Sequence, residues 1–282
     1  MDSRHVRWLA GVLVAALLGG SGPLLAQWIK YPTAGVPRLA DGKPNLTAPA
    51  PRTPDGKPDF SGMWLTDDEI PCRAAEGGGA FIECGIELGF SRFGFNIAQG
   101  VKGGMPYKPE TEAIVRKRTA DNSKDDPHAR CMPDTFLRTY GLPHFGKYIQ
   151  TPNLLIMLNE DNAAYRQIFT DNRPFPPDPT PGWNGYSSAQ WEGDTLVVNS
   201  LGFRDDLWLD MAGNFITDQA KVRERIRRPD YGHLIIDVTV DDPKAYTRPW
   251  DITLKMKAVV DTELVDEFCV ENEKSWQRMQ KP

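Results

Sequence analysis

The sequence predicts a mainly β protein whose strands form an antiparallel meander that closes into a barrel; a β-sandwich is the alternative closure. Three observations carry this. From Gly146 onward the chain reads as short β-prone runs, beginning GKYIQTP, NLLIMLNE and AAYRQIFT and ending HLIIDVTVDD, WDITLKMKAVV and TELVDEFCVEN. The connections EGD, PDYG and VDT are hairpin length, which makes successive strands antiparallel neighbours. A meander of eight or nine strands then has to close or to bury its second face.

The elements follow in chain order. Residues 1–26 read as a secretory leader: Arg4, His5 and Arg7 precede an apolar run from Trp8 to Leu18, and cleavage is expected after Ala26. That run is shorter than the roughly 20 residues a membrane-spanning helix needs, so no membrane span is expected. Residues 27–60 repeat a Pro-rich phrase, LADGKPNLTAP and then RTPDGKPDFSG, and read as an extended strap. SGMWL (Ser61 to Leu65) opens the barrel domain, taken as 61–282. An insertion at about 66–145 is rich in glycine and carries one helix, from about Lys108 to Asn122, with Pro109 in its first turn, acids early and bases late. In WEGDTLVV, Gly193 and Asp194 form a hairpin turn, so the carboxylates there read as architecture.

Charge and cysteine content narrow the function classes. A net charge of −5 argues against a nucleic-acid partner. The four cysteines, Cys72, Cys84, Cys131 and Cys269, fit disulfides in an oxidising compartment, with three connectivities open. One of these closes a Gly-rich loop with Cys72–Cys84 and ties the insertion to the last strand with Cys131–Cys269. The chain has no CxxC pair, and His128, His144 and His233 show no HxH or HExxH spacing, so no metal site is expected. Neither a GxSxG elbow nor a nucleotide-binding glycine loop occurs, and no cofactor is expected.

Strand alternation selects the candidate site. In QAKVRERIRRP, Arg223, Arg225 and Arg227 share one face and Val222, Glu224 and Ile226 the other. If the valine and isoleucine face the core, Glu224 does too, and a buried carboxylate needs a partner or a proton. Arg166 or Tyr165 in AAYRQIFT is placed to answer it. Asp205, Asp206 and Asp210 follow a strand end; Asp210, next to the apolar Trp208 and Leu209, is the best second acid/base candidate on a rim. Arg173, beside Asp171, is a candidate for an anionic group of a ligand. Trp191 and Trp208 join Arg166 and Tyr165 as expected cavity lining, while several of the other aromatic residues are expected to fill the core.

Across the mature chain, DGKPDFSGMW at 55–64, DDPHARCMP at 125–133, QIFTDNRPFPPDP at 167–179, WEGDTLVVNSLGF at 191–203 and VTVDDPKAYTRPW at 238–250 recur together. In these marks the chain resembles a family of exported bacterial proteins; the likeness implies a periplasmic or secreted location and transfers no catalytic residue. Gly62-Met63-Trp64 is similar to the G-x-W of the first strand in lipocalin-like barrels. That likeness implies a carrier of small apolar molecules, or an enzyme that hydrates, cyclises or isomerises them. The long insertion departs from a simple lipocalin and is expected to act as a lid or plug. Three functions are therefore expected: binding of a small apolar or aromatic molecule; a lyase, isomerase or hydratase using Glu224 or Asp210; or docking to an envelope protein through the strap.

Overall fold

The computed structural model describes residues 31–67 and 92–271. Nine strands close into a barrel: β1 (Gly62–Thr66), β2 (Gly146–Thr151), β3 (Leu154–Asn159), β4 (Tyr165–Phe169), β5 (Tyr186–Glu192), β6 (Thr195–Leu201), β9 (Lys221–Arg227), β10 (His233–Asp241) and β11 (Trp250–Val259). Between β6 and β9, β7 (Leu207–Trp208) and β8 (Phe215–Ile216) form a separate small ribbon. The helices are one-turn α1 (Arg92–Phe95), α2 (Pro109–Ala120) and one-turn α3 (Phe136–Thr139). The barrel replaces the sandwich alternative.

Two expectations are corrected. TELVDEFCVEN is not a strand; its end forms a 3-10 turn at Cys269–Glu271, and β1 takes the ninth place by pairing with both β11 and β2. The barrel is also mixed rather than wholly antiparallel, because β4 and β5 run parallel. Alternating strand directions close a ring only when the strand number is even, so nine strands force one parallel neighbour. Residues 170–185 supply the long connection such a pair needs. The parallel seam is short: only Ile168–Ser187 and Phe169–Ser188 pair across it.

Alternation sets the inside. Trp64, Tyr148, Leu155, Met157, Ile168, Leu196, Val198, Val222, Ile226, Ile236, Val238, Trp250, Ile252 and Leu254 are buried together and fill the lumen. The pairing registers place Gly146, Asn159, Leu201, Lys221, Asp241 and Trp250 around one mouth, here the upper. Thr151, Leu154, Glu192, Thr195, Arg227 and His233 ring the lower.

The strap closes the lower mouth. Its two phrases fold alike: Arg38 bridges to Pro44 around Gly42, and Arg52 to Pro58 around Gly56. In each the arginine donates to the glycine carbonyl of its own turn, and then reaches a distant acid, Asp261 for Arg38 and Asp194 for Arg52. Phe60 at the end of the strap stacks on Trp191 at 5.4 Å, and the Trp64 indole donates to the Phe60 carbonyl at 3.0 Å. The Gly193–Asp194 turn expected in the sequence is present, with Gly193 at φ 61°.

The insertion and the loops after β6 and β10 cover the upper mouth. Thr111 of α2 donates to the Ala245 carbonyl at 2.7 Å, and Arg118 lies over Trp208 and Phe215 while holding Asp206. A disulfide joins Cys131 to Cys269. It ties the insertion to the C-terminal segment, though Cys269 lies in the 3-10 turn and not in a strand. Cys72 and Cys84 lie outside the described residues. Among the described residues no helix is long and apolar enough to cross a membrane.

The seam sets the first prediction. Gly185 precedes β5 at φ 59°, and a Cβ there would lie 2.6 Å from the Leu201 carbonyl oxygen. Gly185→Ala is expected to lower the unfolding free energy by about 1–3 kcal/mol, read as a lower urea midpoint at unchanged slope; an unchanged midpoint would mean the seam yields freely.

Candidate functional site

Among the described residues, Glu224 and Arg166 form the centre of a polar group of side chains in the lumen. Glu224, on β9 between Val222 and Ile226, is fully buried at 0% exposure. Arg166 projects inward from β4 and pairs with it through both guanidinium nitrogens, Nη1 at 3.1 Å from Oε1 and Nη2 on Oε2. Tyr140, just after α3, donates to the same Oε1 at 2.8 Å. Arg166 also donates to Ser187 of β5 at 3.2 Å and Ser200 of β6 at 3.0 Å, and it lies 3.4 Å over the Phe136 ring. One guanidinium thus joins β4, β5, β6, β9 and the insertion.

The electrostatics follow from burial. Burial pushes the Tyr140 hydroxyl well above its usual range, and the Glu224 charge pushes it further. Tyr148 is raised by the same two causes in the same order. For Arg166, burial acts to lower the pKa, but the Glu224 charge and hydrogen bond together with Tyr140 and Tyr148 outweigh it, and the net shift is upward. A charge pair out of water is tolerable only with such full hydrogen bonding.

The other sequence-predicted residues scatter. Tyr165 is not the partner of Glu224: one residue before Arg166, it points outward and is 62% exposed. Trp191 faces inward at the lower mouth, plugged by Phe60 and with Lys57 near its ring. Trp208 sits outside the barrel in the β7–β8 ribbon beneath Arg118. Arg173 is held at the surface by Asp171 at 2.6 Å and stacks on Phe169.

The expected rim of aspartates also divides. Asp205 and Asp206 are surface partners of Lys244 and Arg118. Asp210 is not on a rim but fully buried. It accepts from the Ile97 amide at 2.6 Å, the Asn214 side chain at 2.6 Å and the Asn214 amide at 3.1 Å. Its apolar neighbours carry it inward with them. Burial raises its pKa to about 6 against the opposing pull of those donors.

An open cleft lies outside the barrel wall, where the parallel seam leaves β4 and β5 poorly joined. It measures about 530 Å³ and is lined by Tyr165, Phe169, Trp183, Asn184 and Tyr186, with Arg166 in its inner wall. Phe169 and Tyr186 stack at 5.3 Å. Asn184 braces it, donating to the Tyr165 carbonyl and accepting from the Phe136 amide at 2.7 Å. A narrower continuation passes between Tyr140, Tyr148 and His144, with about 30 Å³ of room, the space of a water molecule or two. Sequence reasoning named Arg166 and Tyr165 here but missed Tyr140, Ser187 and Trp183. Ser187 was readable, since YSSAQ alternates onto the same inner face as Ala189; Tyr140 and Trp183 come from irregular segments that give no such signal.

A second buried polar group lies under the same mouth. Arg138 of α3 forms a two-pronged pair with Asp126 at 2.8 and 2.7 Å, and His128 Nδ1 lies 2.6 Å from Asp134. Burial acts to lower the His128 pKa, but the bond to Asp134 and the charges of Asp134 and Asp161 together raise it. Asp161, in the β3–β4 turn, is raised to about 6 by burial first and by the Asp134 charge second.

Two outcomes are expected. Glu224→Gln leaves the Arg166 charge buried without a counter-ion and is expected to cost about 3–5 kcal/mol in denaturant unfolding. Combining it with Arg166→Met should recover part of that loss, and simple additivity of the two would refute the coupling. Asp210 has a folded pKa above its unfolded value, so its protonated form is favoured by the fold. Its contribution to stability is complete below about pH 4 and is lost as pH rises through about 6. Wild type should therefore lose stability relative to Asp210→Asn across that window, checked by urea unfolding at each pH.

No protein-family model, curated protein or solved structure matches this chain, so its own geometry carries the functional reading.

Proposed function

We propose that the protein binds a small, largely apolar or aromatic molecule in the cleft at the β4–β5 seam, rather than in the lumen. The observation that carries this is the aromatic lining of the cleft around the largely exposed Tyr165. Flat aromatic walls with a few amide groups are the make-up of small-molecule sites, and the cleft volume lies in the range such sites have. The lumen offers no comparable space, since its own side chains fill it.

Binding is favoured over turnover by the state of the two acid/base candidates. Glu224 is engaged by Arg166 and Tyr140, and Asp210 by three donors, and both carboxylates are fully buried. The strap is occupied on its own barrel through Arg38, Arg52 and Phe60, which weighs against its use as a docking arm. The leader-like N-terminus together with the Cys131–Cys269 bond supports an exported protein working in an oxidising compartment.

Native mass spectrometry of the protein purified from a periplasm tests the reading. A discrete extra mass that denaturation removes is expected for wild type. Tyr165→Ala should weaken its retention by about 2- to 10-fold with stability within about 0.5 kcal/mol of wild type. A bare mass in wild type would shift the reading to protein docking.

A further inference from the structure

We propose that His128, Asp134 and Asp161 form a divalent-cation site, of the zinc class, which binds the insertion to the β3–β4 turn. This goes beyond the small-molecule reading and does not depend on it. One potential ligand atom from each of the three residues lies within 4.8 Å of the other two. Two distant pieces of chain converge there: the stretch from the 3-10 turn His128–Arg130 into α3, and the tight turn after β3.

The second observation is an orphaned atom. Asp161 is only 3% exposed, and its Oδ2 is buried with no hydrogen-bond partner. Its other oxygen has a single long contact, from the Asn162 side chain at 3.3 Å. The carboxylate faces that of Asp134 directly across the cluster. Leaving a buried acceptor unpaired costs about 1–3 kcal/mol, and opposing it with a second carboxylate makes the arrangement worse.

Charge accounting points the same way. Asp126, Asp134 and Asp161 are all buried, and the one buried guanidinium among them is Arg138. Arg138 is committed to Asp126; its Nε lies 3.4 Å from Asp134 Oδ1 but is too poorly aimed to bond. Three buried carboxylates against one guanidinium leave an excess of acid, which a divalent cation bound by neutral His128 would offset. His144, the next nearest base, is turned toward Glu267 at 3.0 Å.

The donor set selects the ion. Calcium and magnesium take oxygen ligands, whereas one imidazole with two carboxylates suits zinc or a related transition metal. Ligands on zinc stand about 3–3.5 Å apart for bonds of about 2.1 Å; here the three atoms lie within 4.8 Å of one another, and small rotations about side-chain bonds bring them to that spacing. The disulfide at Cys131, three residues from His128, and the Cys269 amide donating to Asn162 at 3.3 Å hold the same two segments together.

The test is zinc binding to the full exported chain after chelator treatment, followed by calorimetry and thermal unfolding. Wild type is expected to bind one Zn²⁺ and melt at higher temperature with it. His128→Ala and Asp161→Asn should each lose at least about tenfold in affinity. Asp161→Asn is isosteric and supplies a donor to Asp134, so its metal-free form should be at least as stable as metal-free wild type. That control keeps loss of binding separate from loss of fold. Wild type that takes up no zinc, with Asp161→Asn more stable, would overturn the site in favour of a proton shared between the carboxylates. Binding unaffected by either substitution would overturn it as well.

Discussion

The bond between Arg166 and Glu224 is the constraint on which the barrel depends. An odd number of strands imposes one parallel neighbour, and the β4–β5 seam that results has only two paired positions. Backbone pairing alone closes the wall at only those two positions. Arg166 joins it from within: it reaches across to Ser187 on the far side of the seam, on to Ser200 of the next strand and then to Glu224 on β9. Ser187 and Ser200 are themselves partners in register, 2.8 Å apart, so the stitch is continuous. A pair out of water is seldom a net source of stability against an apolar alternative. Its use here is geometric, fixing which strand meets which.

That arrangement explains why the open space lies outside the lumen. Trp64 and Trp250 occupy the interior, Phe60 and Trp191 stop the lower end, and Phe136 and Tyr140 of the insertion descend on the guanidinium from above. The wall is thinnest where pairing ends, and aromatic side chains line that gap. The fold thus converts a topological weakness into a recess whose inner wall is rigid, since Arg166 is fixed by at least four groups.

Much of this was legible from residue spacing. Period-two alternation in KVRERIR and YRQIF puts Glu224 and Arg166 on inner faces before any coordinates exist, and the pairing follows from the need to neutralise a buried charge. Hairpin turns such as Gly193–Asp194 were equally local. The parallel seam was not legible, because it depends on whether the strand count is odd, and residue spacing left eight and nine strands both open. Tyr165 misled because it is a single residue from the correct side chain, and one step along a strand reverses the face. Asp210 looked like a rim acid because its three donors come from Ile97 and Asn214 in irregular loops. The meeting of His128, Asp134 and Asp161 is likewise tertiary: no local spacing joins the first two to a turn beyond two intervening strands.

The position of β1 has a consequence for how the chain assembles. Its partners are β2 and β11, with Met63 opposite Val259, so the first strand to be synthesised must await almost the last. The Cys131–Cys269 link encloses β2 through β11 and leaves β1 outside the covalent ring. Until the C-terminal strands arrive, GMWLT is a short apolar segment with two unsatisfied edges, the kind of stretch that pairs with the wrong neighbour. Its flanks are a proline-rich strap and a glycine-rich insertion, both poor in residues that extend a strand. Their composition limits how far the strand can extend on either side.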